Sequence, residues 1–429
     1  MADAPNARRA PMRTTRETHR ALPLGDGRHR EKSRWIDSGV IGHMRVLHLG
    51  KYYAPERGGI ERYTQALAEW SIAHGDPVGV LVHQRPGTWR RTQEIIAGVD
   101  VRRAGCIAAP LYTPLSPGFP FELARALREL KPDLLHLHFP NPSCFAALAS
   151  PAARRLPWIV HWQAEVAPDS LNWRLRTAYR AYRPFEQAVL ARARAIIATS
   201  QAYVDASVAL APWRAKIVVI PLGIEDAEPA TPAPELWPAQ AGMRLLAVGR
   251  LSHYKGFDVL IEALAQVANA SLLLIGRGEC EGELHALAHA RGLDQRIAFA
   301  GELDDATLAA AYAAADAFVL PSLDRSESFG LVLLEAMRAG LPVVASAIAG
   351  SGVGTVVADG QTGLLVPPGD AQALAYAISR LREDANLRTR FGAAGRARWE
   401  SVFTLERSAL AVRALYQSVL IRRSATPSR

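Results

Sequence analysis

Short apolar runs alternate with longer segments of helical periodicity along most of the chain after residue 43. Each run ends in glycine, proline or a polar loop, and apolar side chains then recur every three or four positions. This alternation predicts an α/β protein with parallel sheets covered by helices on both faces. The predicted strands are 46–50, 78–83, 99–103, 134–139, 158–161, 195–199, 217–220, 245–249, 271–275, 297–300, 317–320, 343–346 and 364–366.

Helices are predicted between these strands, and they divide the chain into two halves. They occupy 59–74, 121–130, 143–154, 174–192, 202–210, 258–268, 281–291, 306–315, 330–339, 371–381 and 404–421. A Pro/Ala-rich segment at 228–238 interrupts the alternation and indicates a linker. The sequence therefore predicts a doubly wound domain over 44–227, a linker over 228–242, a second such domain over 243–403, and a helix and tail over 404–429.

Composition fits a two-domain intracellular protein. The chain has 429 residues, 49% of them hydrophobic and 21% charged, and this length is long for a single core. The three cysteines are scattered and odd in number, which favours a reducing compartment such as the cytoplasm over a disulfide framework. No apolar run is long enough to predict a membrane span.

Residues 1–43 lack periodicity and are predicted to form a disordered basic extension. They hold nine Lys and Arg against five Asp and Glu, and so supply four of the nine net positive charges. Met44 opens a strand directly, and we hypothesise that it is the natural start. The rest of the chain is only mildly basic and has no aromatic-basic motif, so we expect no nucleic-acid partner.

Two glutamates flank a predicted helix start in the second half. Glu327 lies in a polar loop after a buried strand, and Glu335 lies eight residues later, about two turns along the helix. Two carboxylates at these positions can accept hydrogen bonds from different hydroxyls of one ligand. The partly positive helix N-terminus between them suits a phosphate. The pattern indicates a site for a polyhydroxylated, phosphorylated ligand, although two glutamates at this spacing also occur on solvated helices.

Two cations lie near another predicted strand end. Arg250 directly follows the strand 245–249, and Lys255 precedes the next helix. Ligands of open α/β sheets bind at the carboxyl ends of strands. A pair of cations there fits a diphosphate, because charge-assisted hydrogen bonds each contribute about 1.5–3 kcal/mol.

Taken together, these motifs resemble the family 4 retaining glycosyltransferases. The resemblance rests on Val248-Gly-Arg-Leu with Lys255, on Glu327 and Glu335, on Gly360-Gln-Thr-Gly363, and on a glycine loop, Gly50-Lys-Tyr-Tyr-x-Pro55-x-x-Gly58-Gly59-Ile-Glu61-Arg62. It covers residues 44–415. The resemblance implies the GT-B fold, in which two Rossmann-like domains face each other over a cleft and the last helix returns to the first domain.

The family pattern also implies roles for individual residues. Arg250 and Lys255 would neutralise the departing diphosphate, Glu335 would hold the ribose, and Glu327 a hydroxyl of the donor sugar. Backbone N–H groups near Phe329 and Gly330 would contact the donor. The donor-binding residues implied are Gly58, Gly59, Arg250, Lys255, Glu327, Phe329, Gly330, Leu331 and Glu335, and the catalytic ones include Glu327, Arg250 and Lys255.

One stretch departs from the family pattern. Related enzymes carry a His-Ser-Asp-like triplet after the fifth strand, and here Gln163 stands in the place of the histidine and Glu165 in that of the acid. Gln163 can hydrogen-bond a sugar hydroxyl but cannot relay a proton. We therefore keep His161 and Gln163 as further catalytic candidates. His136 and His138 share one face of a strand and are expected in the core, with His138 nearer the cleft.

The sequence contains no Asp-x-Asp, and the expectation is that no metal or other cofactor is required. It also lacks the Gly-x-Gly-x-x-Gly and Walker motifs of dehydrogenases and P-loop enzymes. Retaining chemistry usually uses a nucleophilic carboxylate, and no clear candidate appears in the first half. The family's proposed front-face route, with a donor phosphate oxygen as base, fits that gap.

Arginines alternate with aromatic residues over 171–183, on a predicted helix. This composition suits docking on an anionic membrane surface or on a lipid-diphosphate acceptor, and it equally suits a solvated helix.

The predicted function is transfer of a hexose from a UDP- or GDP-sugar to a glycan or lipid-linked acceptor, with retention of configuration, in bacterial envelope polysaccharide synthesis. We expect it in the cytoplasm, at the inner face of the plasma membrane if the basic helix docks there. Two alternatives remain open: a nucleotide-sugar-binding protein with little transferase activity, and a sugar-nucleotide epimerase on the same fold.

Overall fold

The computed structural model describes residues 43–56, 58–110, 113–165, 173–239 and 242–424. The predicted extension therefore lies outside the described residues, apart from His43. Within them, the chain forms two α/β domains, each built on its own sheet.

The first sheet has eight strands in the order β3-β4-β2-β1-β5-β6-β7-β8. All neighbours are parallel except β3 and β4, which form an antiparallel edge. The strands are β1 (Val46–Leu49), β2 (Val78–His83), β3 (Thr92–Ile96), β4 (Val99–Ala104), β5 (Leu134–Phe139), β6 (Trp158–Trp162), β7 (Ala195–Ala198) and β8 (Ile217–Val219). Its central strands are apolar and fully buried, as expected for a sheet covered on both faces.

The second sheet has six parallel strands in the order β11-β10-β9-β12-β13-β14. They are β9 (Met243–Val248), β10 (Ala270–Ile275), β11 (Ile297–Gly301), β12 (Ala317–Leu320), β13 (Val343–Ser346) and β14 (Gly363–Val366). In both sheets the strand order reverses beside the first strand of the domain, at β1 and at β9, and such a reversal opens a crevice at the carboxyl ends of the strands.

Helices cover both faces of each sheet. Their bounds are α1 (Gly59–Ala73), α2 (Phe119–Leu130), α3 (Ala146–Ala149), α4 (Pro151–Arg154), α5 (Trp173–Arg192), α6 (Gln201–Ala206), α7 (Phe257–Gln266), α8 (Glu281–Ala290), α9 (Asp305–Ala314), α10 (Leu331–Arg338), α11 (Val353–Val356), α12 (Ala371–Glu383), α13 (Ala385–Val402) and α14 (Leu405–Ser424). Side chains of Ser200, Asp304, Asp370 and Asp384 cap α6, α9, α12 and α13. By contrast, α1, α7 and α10 start after glycines without a side-chain cap, which leaves their first N–H groups available at the crevices.

Helix α14 returns to the first domain, as predicted. It packs beside α1, where Ser408 Oγ lies 2.8 Å from Tyr63 Oη and Arg413 Nε donates to Asp76 at 2.7 Å. The chain crosses between the domains twice, and the two crossings are hydrogen-bonded to each other at Ile224, which pairs with Phe403 and Leu405. The last helix therefore completes the core of the first domain.

The structure differs from the sequence prediction at three notable places. The helix expected over 143–154 is broken into a 3-10 turn and two short helices, because Ser150 is extended and caps Pro151–Arg154. The edge strand β3 was not predicted, since its side chains are largely exposed. Helix α13 was also not predicted, because Gly392 and Gly395 interrupt its pattern. These glycines instead allow close packing: a Cβ on Gly392 would lie 2.0 Å from Gly340 O.

None of the helices in the described part of the chain is both long and apolar enough to cross a membrane.

Candidate functional site

The predicted donor residues of the second domain meet at the carboxyl ends of β9 and β12. These strands are neighbours in the sheet although they are far apart in the chain. Arg250 and Lys255 follow β9, and Glu327 and Gly330 follow β12. The glycine loop of the first domain follows β1, at the corresponding reversal of the first sheet. Both crevices therefore contribute residues to one cleft between the domains.

A buried ion pair lies at the centre of this site. Lys255 Nζ donates to Glu327 Oε2 at 2.6 Å, and Ser322 Oγ donates to the same oxygen at 2.9 Å. Both charged residues are 7% exposed. Burial opposes the charge on Lys255, but Glu327 and Tyr254 together outweigh it and hold the pKa of the lysine above its ordinary value. Lys255 is therefore charged and fixed in place beside Glu327.

Glycines let this pair form where the two strands end. Gly256 has φ = 65°, and a Cβ there would lie 2.2 Å from Pro321 O. A Cβ on Gly249 would lie 3.3 Å from Lys255 Cε. Since L-residues rarely adopt these backbone conformations, the two glycines allow the β9 and β12 loops to approach and the lysine to reach Glu327.

Glu335 is held from both domains. Tyr312 Oη donates to Glu335 Oε2 at 2.8 Å, and Arg62 Nη1 of α1 donates to Glu335 Oε1 at 3.1 Å. Burial and the adjacent carboxylate raise the pKa of Tyr312 well above its ordinary value, so the phenol remains a donor. A carboxylate has about four lone-pair positions. Tyr312 and Arg62 occupy one each, so two positions on Glu335 stay available for a ligand.

Two further cations lie at the cleft. Arg250 Nη2 lies 3.4 Å from Glu279 Oε2, just before α8. Burial lowers the pKa of Lys51, in the glycine loop; the nearby Glu61 opposes this lowering and Arg250 adds to it. Sequence reasoning missed Lys51 as a site residue. Its position directly after Gly50, in a chain with few lysines, was the available signal.

The start of α1 lies against the start of α10. A Cβ on Gly59 would lie 3.3 Å from Leu331 Cδ1, and a Cβ on Gly58 would lie 2.2 Å from Glu61 Oε2. Phe329 is buried, and Gly330 has φ = 81° at the N-cap of α10. The structure thus brings together the predicted glycines and the predicted α10 residues, and gives a packing reason for each glycine.

A second arginine links the domains on the other side of Glu327. Arg325 Nη2 lies 3.3 Å from Glu165 Oε2, and Arg325 Nη1 donates to Ala206 O at 3.1 Å. Its guanidinium also lies 5.0 Å from the centre of the Tyr203 ring. We call the Arg62–Glu335 and Arg325–Glu165 pairs the cross-cleft bridges. Each domain supplies one arginine and one glutamate to them, and the sequence reasoning did not identify Arg325.

His161 and Gln163 point to the same side of the first sheet, but neither is exposed in the cleft. Gln163 continues the β6 pairing, with its N–H donating to Phe139 O at 3.2 Å, and its Oε1 lies 3.2 Å from His138 Nδ1. His161 is fully buried, and its ring stacks on those of His136 and His138. The sequence predicted that His138 lies nearer the cleft than His136 does. The structure leaves His138 2% exposed and His136 fully buried.

Comparisons with known proteins agree with this fold. Residues 58–223 match the model of the glycosyl transferase 4-like domain, and residues 240–398 match that of glycosyl transferases group 1. The chain is 29% identical to an O-antigen chain mannosyltransferase C of Escherichia coli, over 89% of this chain and 100% of the relative. It is 32% identical to the D-rhamnosyltransferase WbpZ of Pseudomonas aeruginosa, over 84% of this chain and 92% of the relative.

Among solved structures, a sucrose-phosphate synthase of Thermosynechococcus elongatus superimposes with a TM-score of 0.71 and 26% identity, covering 89% of this chain and 100% of that one. The paired sheets, the uncapped helices at the cleft and these matches lead to one conclusion. The chain belongs to the family 4 glycosyltransferases, with the GT-B fold.

Proposed function

We propose that this glycosyltransferase moves a hexose from a UDP- or GDP-sugar to a glycan or lipid-linked acceptor in envelope polysaccharide synthesis, with retention of configuration and without a metal at the diphosphate. The observation that carries the proposal is the cation set Lys51, Arg250 and Lys255, gathered where the carboxyl ends of β1 and β9 face the start of α10.

The diphosphate is proposed to bind between Lys51 and Arg250. A diphosphate there would accept charge-assisted hydrogen bonds from both cations. The uncapped N-terminus of α10 adds N–H donors there. As the bond to the sugar breaks, negative charge grows on the leaving diphosphate, and these fixed donors stabilise it without reorganisation. Such an arrangement supplies the role that a divalent metal has in other transferases.

The two glutamates are proposed to bind the ribose and the transferred sugar. Glu335 has lone pairs that Arg62 and Tyr312 do not occupy, and these suit the ribose hydroxyls. The carboxylate of Glu327, which Lys255 holds in place, suits a hydroxyl of the transferred sugar. Gln163 lies buried beneath the cleft, where its Oε1 is 3.2 Å from His138 Nδ1 and its Nε2 has no hydrogen-bond partner among the described residues. Since Glu165, the nearby carboxylate, is bound by Arg325, we favour the front-face route over a protein nucleophile.

Both named relatives transfer sugars of manno configuration, since D-rhamnose is 6-deoxymannose. We extend this to the present chain and propose a manno-configured donor sugar. Contact with the acceptor membrane is proposed for α5, where Arg176, Arg180 and Arg183 recur at one-turn spacing along one face. We accordingly propose that the enzyme acts at the cytoplasmic face of the membrane.

The test is nucleotide release and sugar transfer with GDP-mannose, GDP-D-rhamnose, UDP-glucose and UDP-galactose, in the presence of EDTA, with the product anomer assigned by NMR. We expect one manno-configured donor to react at least tenfold faster than the others and to give the donor's own anomer. Arg250→Ala and Lys51→Met should each lower kcat by about 10²–10³-fold.

Several results would contradict the proposal. An inverted product would refute retention, and activity that appears only with added Mg²⁺ or Mn²⁺ would refute metal independence. Tight binding without transfer or hydrolysis would favour the nucleotide-sugar-binding alternative, which the glutamine at position 163 raises. Interconversion of the free sugar nucleotides would favour the epimerase.

A further inference from the structure

Four histidines form a buried cluster beneath the cleft, between the first sheet and helices α1 and α14. His48 of β1 lies opposite His136 of β5, and His138 of β5 lies opposite His161 of β6. All four are at most 2% exposed. Imidazoles at this depth normally have both ring nitrogens hydrogen-bonded, because an unpaired buried polar atom costs about 1–3 kcal/mol.

The hydrogen bonds assign the tautomers of two of these rings. Thr64 Oγ1 donates to Ile60 O and therefore accepts from His138 Nδ1, as does Gln163 Oε1, each at 3.2 Å. His138 thus carries its proton on Nδ1, and its Nε2 accepts from His48 Nδ1 at 2.9 Å. It follows that His48 Nε2 carries a lone pair, and this nitrogen has no hydrogen-bond partner among the described residues.

His136 shows the same arrangement. Its Nδ1 is hydrogen-bonded to Tyr416 Oη, and its Nε2 has no partner within the described parts of the chain. One ring nitrogen from each of His48, His136 and His138 lies within 4.8 Å of one from each of the others. His136 and His138 are held as metal-binding histidines are, each with its Nδ1 fixed by a polar partner outside the cluster and its Nε2 left to ligate.

We propose that His48, His136 and His138 form a binding site for a divalent transition metal, separate from the donor site. Three imidazoles without a carboxylate select Zn²⁺, Co²⁺, Ni²⁺ or Cu²⁺ rather than Mg²⁺ or Ca²⁺.

Binding requires a small rearrangement of the cluster. Metal–nitrogen bonds of about 2.0–2.1 Å place tetrahedral ligands roughly 3.4 Å apart, so the 2.9 Å between His48 Nδ1 and His138 Nε2 widens slightly and the His136 ring moves closer. The metal takes the lone pair of His138 Nε2, and the proton of His48 Nδ1 moves to His48 Nε2, which frees Nδ1 to ligate. His138 Nδ1 keeps Gln163, so a bound metal would fix the orientation of the amide on the acceptor side of the cleft.

The site is tested on the full-length chain made without a polyhistidine tag. Protein stripped with a chelator is dialysed against micromolar Zn²⁺ or Co²⁺, freed of excess metal, and analysed by mass spectrometry of the elements. We expect one equivalent per chain, visible d–d bands with Co²⁺, and a rise in Tm on metal addition. His48→Asn and His136→Asn should each lose at least 90% of the bound metal.

His83→Asn is the matched control. His83 is also buried in the first sheet, but both its ring nitrogens are hydrogen-bonded, to Lys51 O at 2.7 Å and to Ser143 Oγ at 2.8 Å. It should keep the full equivalent. Wild-type protein that retains less than a tenth of an equivalent would overturn the proposal, whether or not the variants fold. Equal retention by wild type, His48→Asn and His136→Asn would also overturn it, by showing adventitious binding elsewhere.

Discussion

At the scale of single residues, the buried Lys255–Glu327 pair is the feature that most constrains the donor site. Each partner is hydrogen-bonded where the β9 and β12 loops meet. Buried pairs of this kind contribute little net stability compared with apolar residues, yet the loss of one partner leaves an uncompensated charge. The pair therefore links the stability of the fold to the proposed donor site through the same two side chains.

The first prediction concerns the loss of one partner of this pair. Lys255→Met should lower the free energy of unfolding by about 3 kcal/mol, because Glu327 then remains buried with Ser322 as its hydrogen-bond donor. Urea unfolding at pH 7 measures it. The double variant Lys255→Met/Glu327→Gln should recover most of that loss while transfer stays abolished. Failure of the double variant to recover stability would show that the lysine acts through packing.

The second prediction concerns the hydroxyl that orients Glu335. Tyr312→Phe removes the hydrogen bond to Glu335 Oε2 and should weaken nucleotide-sugar binding by about 10-fold, since hydrogen bonds to charged groups contribute about 1.5–3 kcal/mol. Isothermal titration calorimetry with the natural donor measures the change. The same variant should bind a 2′,3′-dideoxyribose analogue as tightly as wild type does. An equal loss with both ligands would contradict the ribose assignment.

The residues of the donor site were largely predictable, and their partners were not. The predicted donor residues lie just after strand ends or on the helix that follows, and the topology of open sheets brings such positions together. These residues are Arg250, Lys255, Glu327 and Glu335. The Arg62–Glu335 contact joins residues 273 positions apart. No local pattern encodes such a pairing, because it depends on how the two domains face each other.

At the scale of elements, α13 shows how glycine acts as a packing residue. The third prediction is that Gly392→Ala lowers the free energy of unfolding by 2 kcal/mol or more, because its Cβ would lie 2.0 Å from Gly340 O. Thermal and urea unfolding measure it. Gly282→Ala in α8 is the control: nothing lies within 4 Å of its Cβ, and this change should stabilise by up to about 1 kcal/mol. Similar effects of both substitutions would refute the packing argument.

Helix α5 buries a carboxyl group whose ionisation costs stability. Burial raises the pKa of Glu186 to about 7, although Tyr179 donates to it at 3.2 Å. The folded chain therefore holds this proton between pH 4.5 and 7 where the unfolded chain does not, so the stability contribution of Glu186 falls as pH rises through this window.

The fourth prediction follows from that sign. Glu186→Gln should stabilise the chain more at pH 8 than at pH 5, by at most about 3 kcal/mol, because glutamine has no proton to lose. Urea unfolding at the two pH values measures the difference. An equal effect of Glu186→Gln at both values would contradict the raised pKa.

Element types were predictable where apolar periodicity was strong. The central strands are short buried runs and were located within one or two residues. The three failures have identifiable physical causes. At 143–154 the side chain of Ser150 caps a new short helix. Strand β3 is an exposed edge, and the glycines of α13 are set by packing against the neighbouring structure.

At the scale of the whole molecule, the cross-cleft bridges connect the donor loop to the acceptor side. Arg325 lies two residues before Glu327, and Glu165 lies two residues after Gln163. The Arg325–Glu165 bridge thereby connects the loop that carries Glu327 to the segment that carries Gln163. Productive orientation of reactants is a large part of catalysis, and small misplacements are costly.

The fifth prediction is that Arg325→Gln lowers kcat at least 10-fold with little change in donor affinity. In a double-mutant cycle with Glu165→Gln, we expect a coupling of about 0.5–3 kcal/mol in kcat/KM. Arg291→Gln removes a comparable pair with Glu262, which lies within the second domain, and should leave kcat unchanged. Equal kcat values for Arg325→Gln and Arg291→Gln would show that the bridge has no role in turnover.

The return of α14 to the first domain has a consequence for how the protein is made and how it evolves. Tyr416 and Arg413 provide partners for His136 and Asp76 in a domain that the ribosome finished making long before. The first domain therefore waits, incomplete, until the second has been translated. It also follows that the halves are not interchangeable modules: a chimaera that takes its first domain from a relative must take residues 405–424 from the same parent.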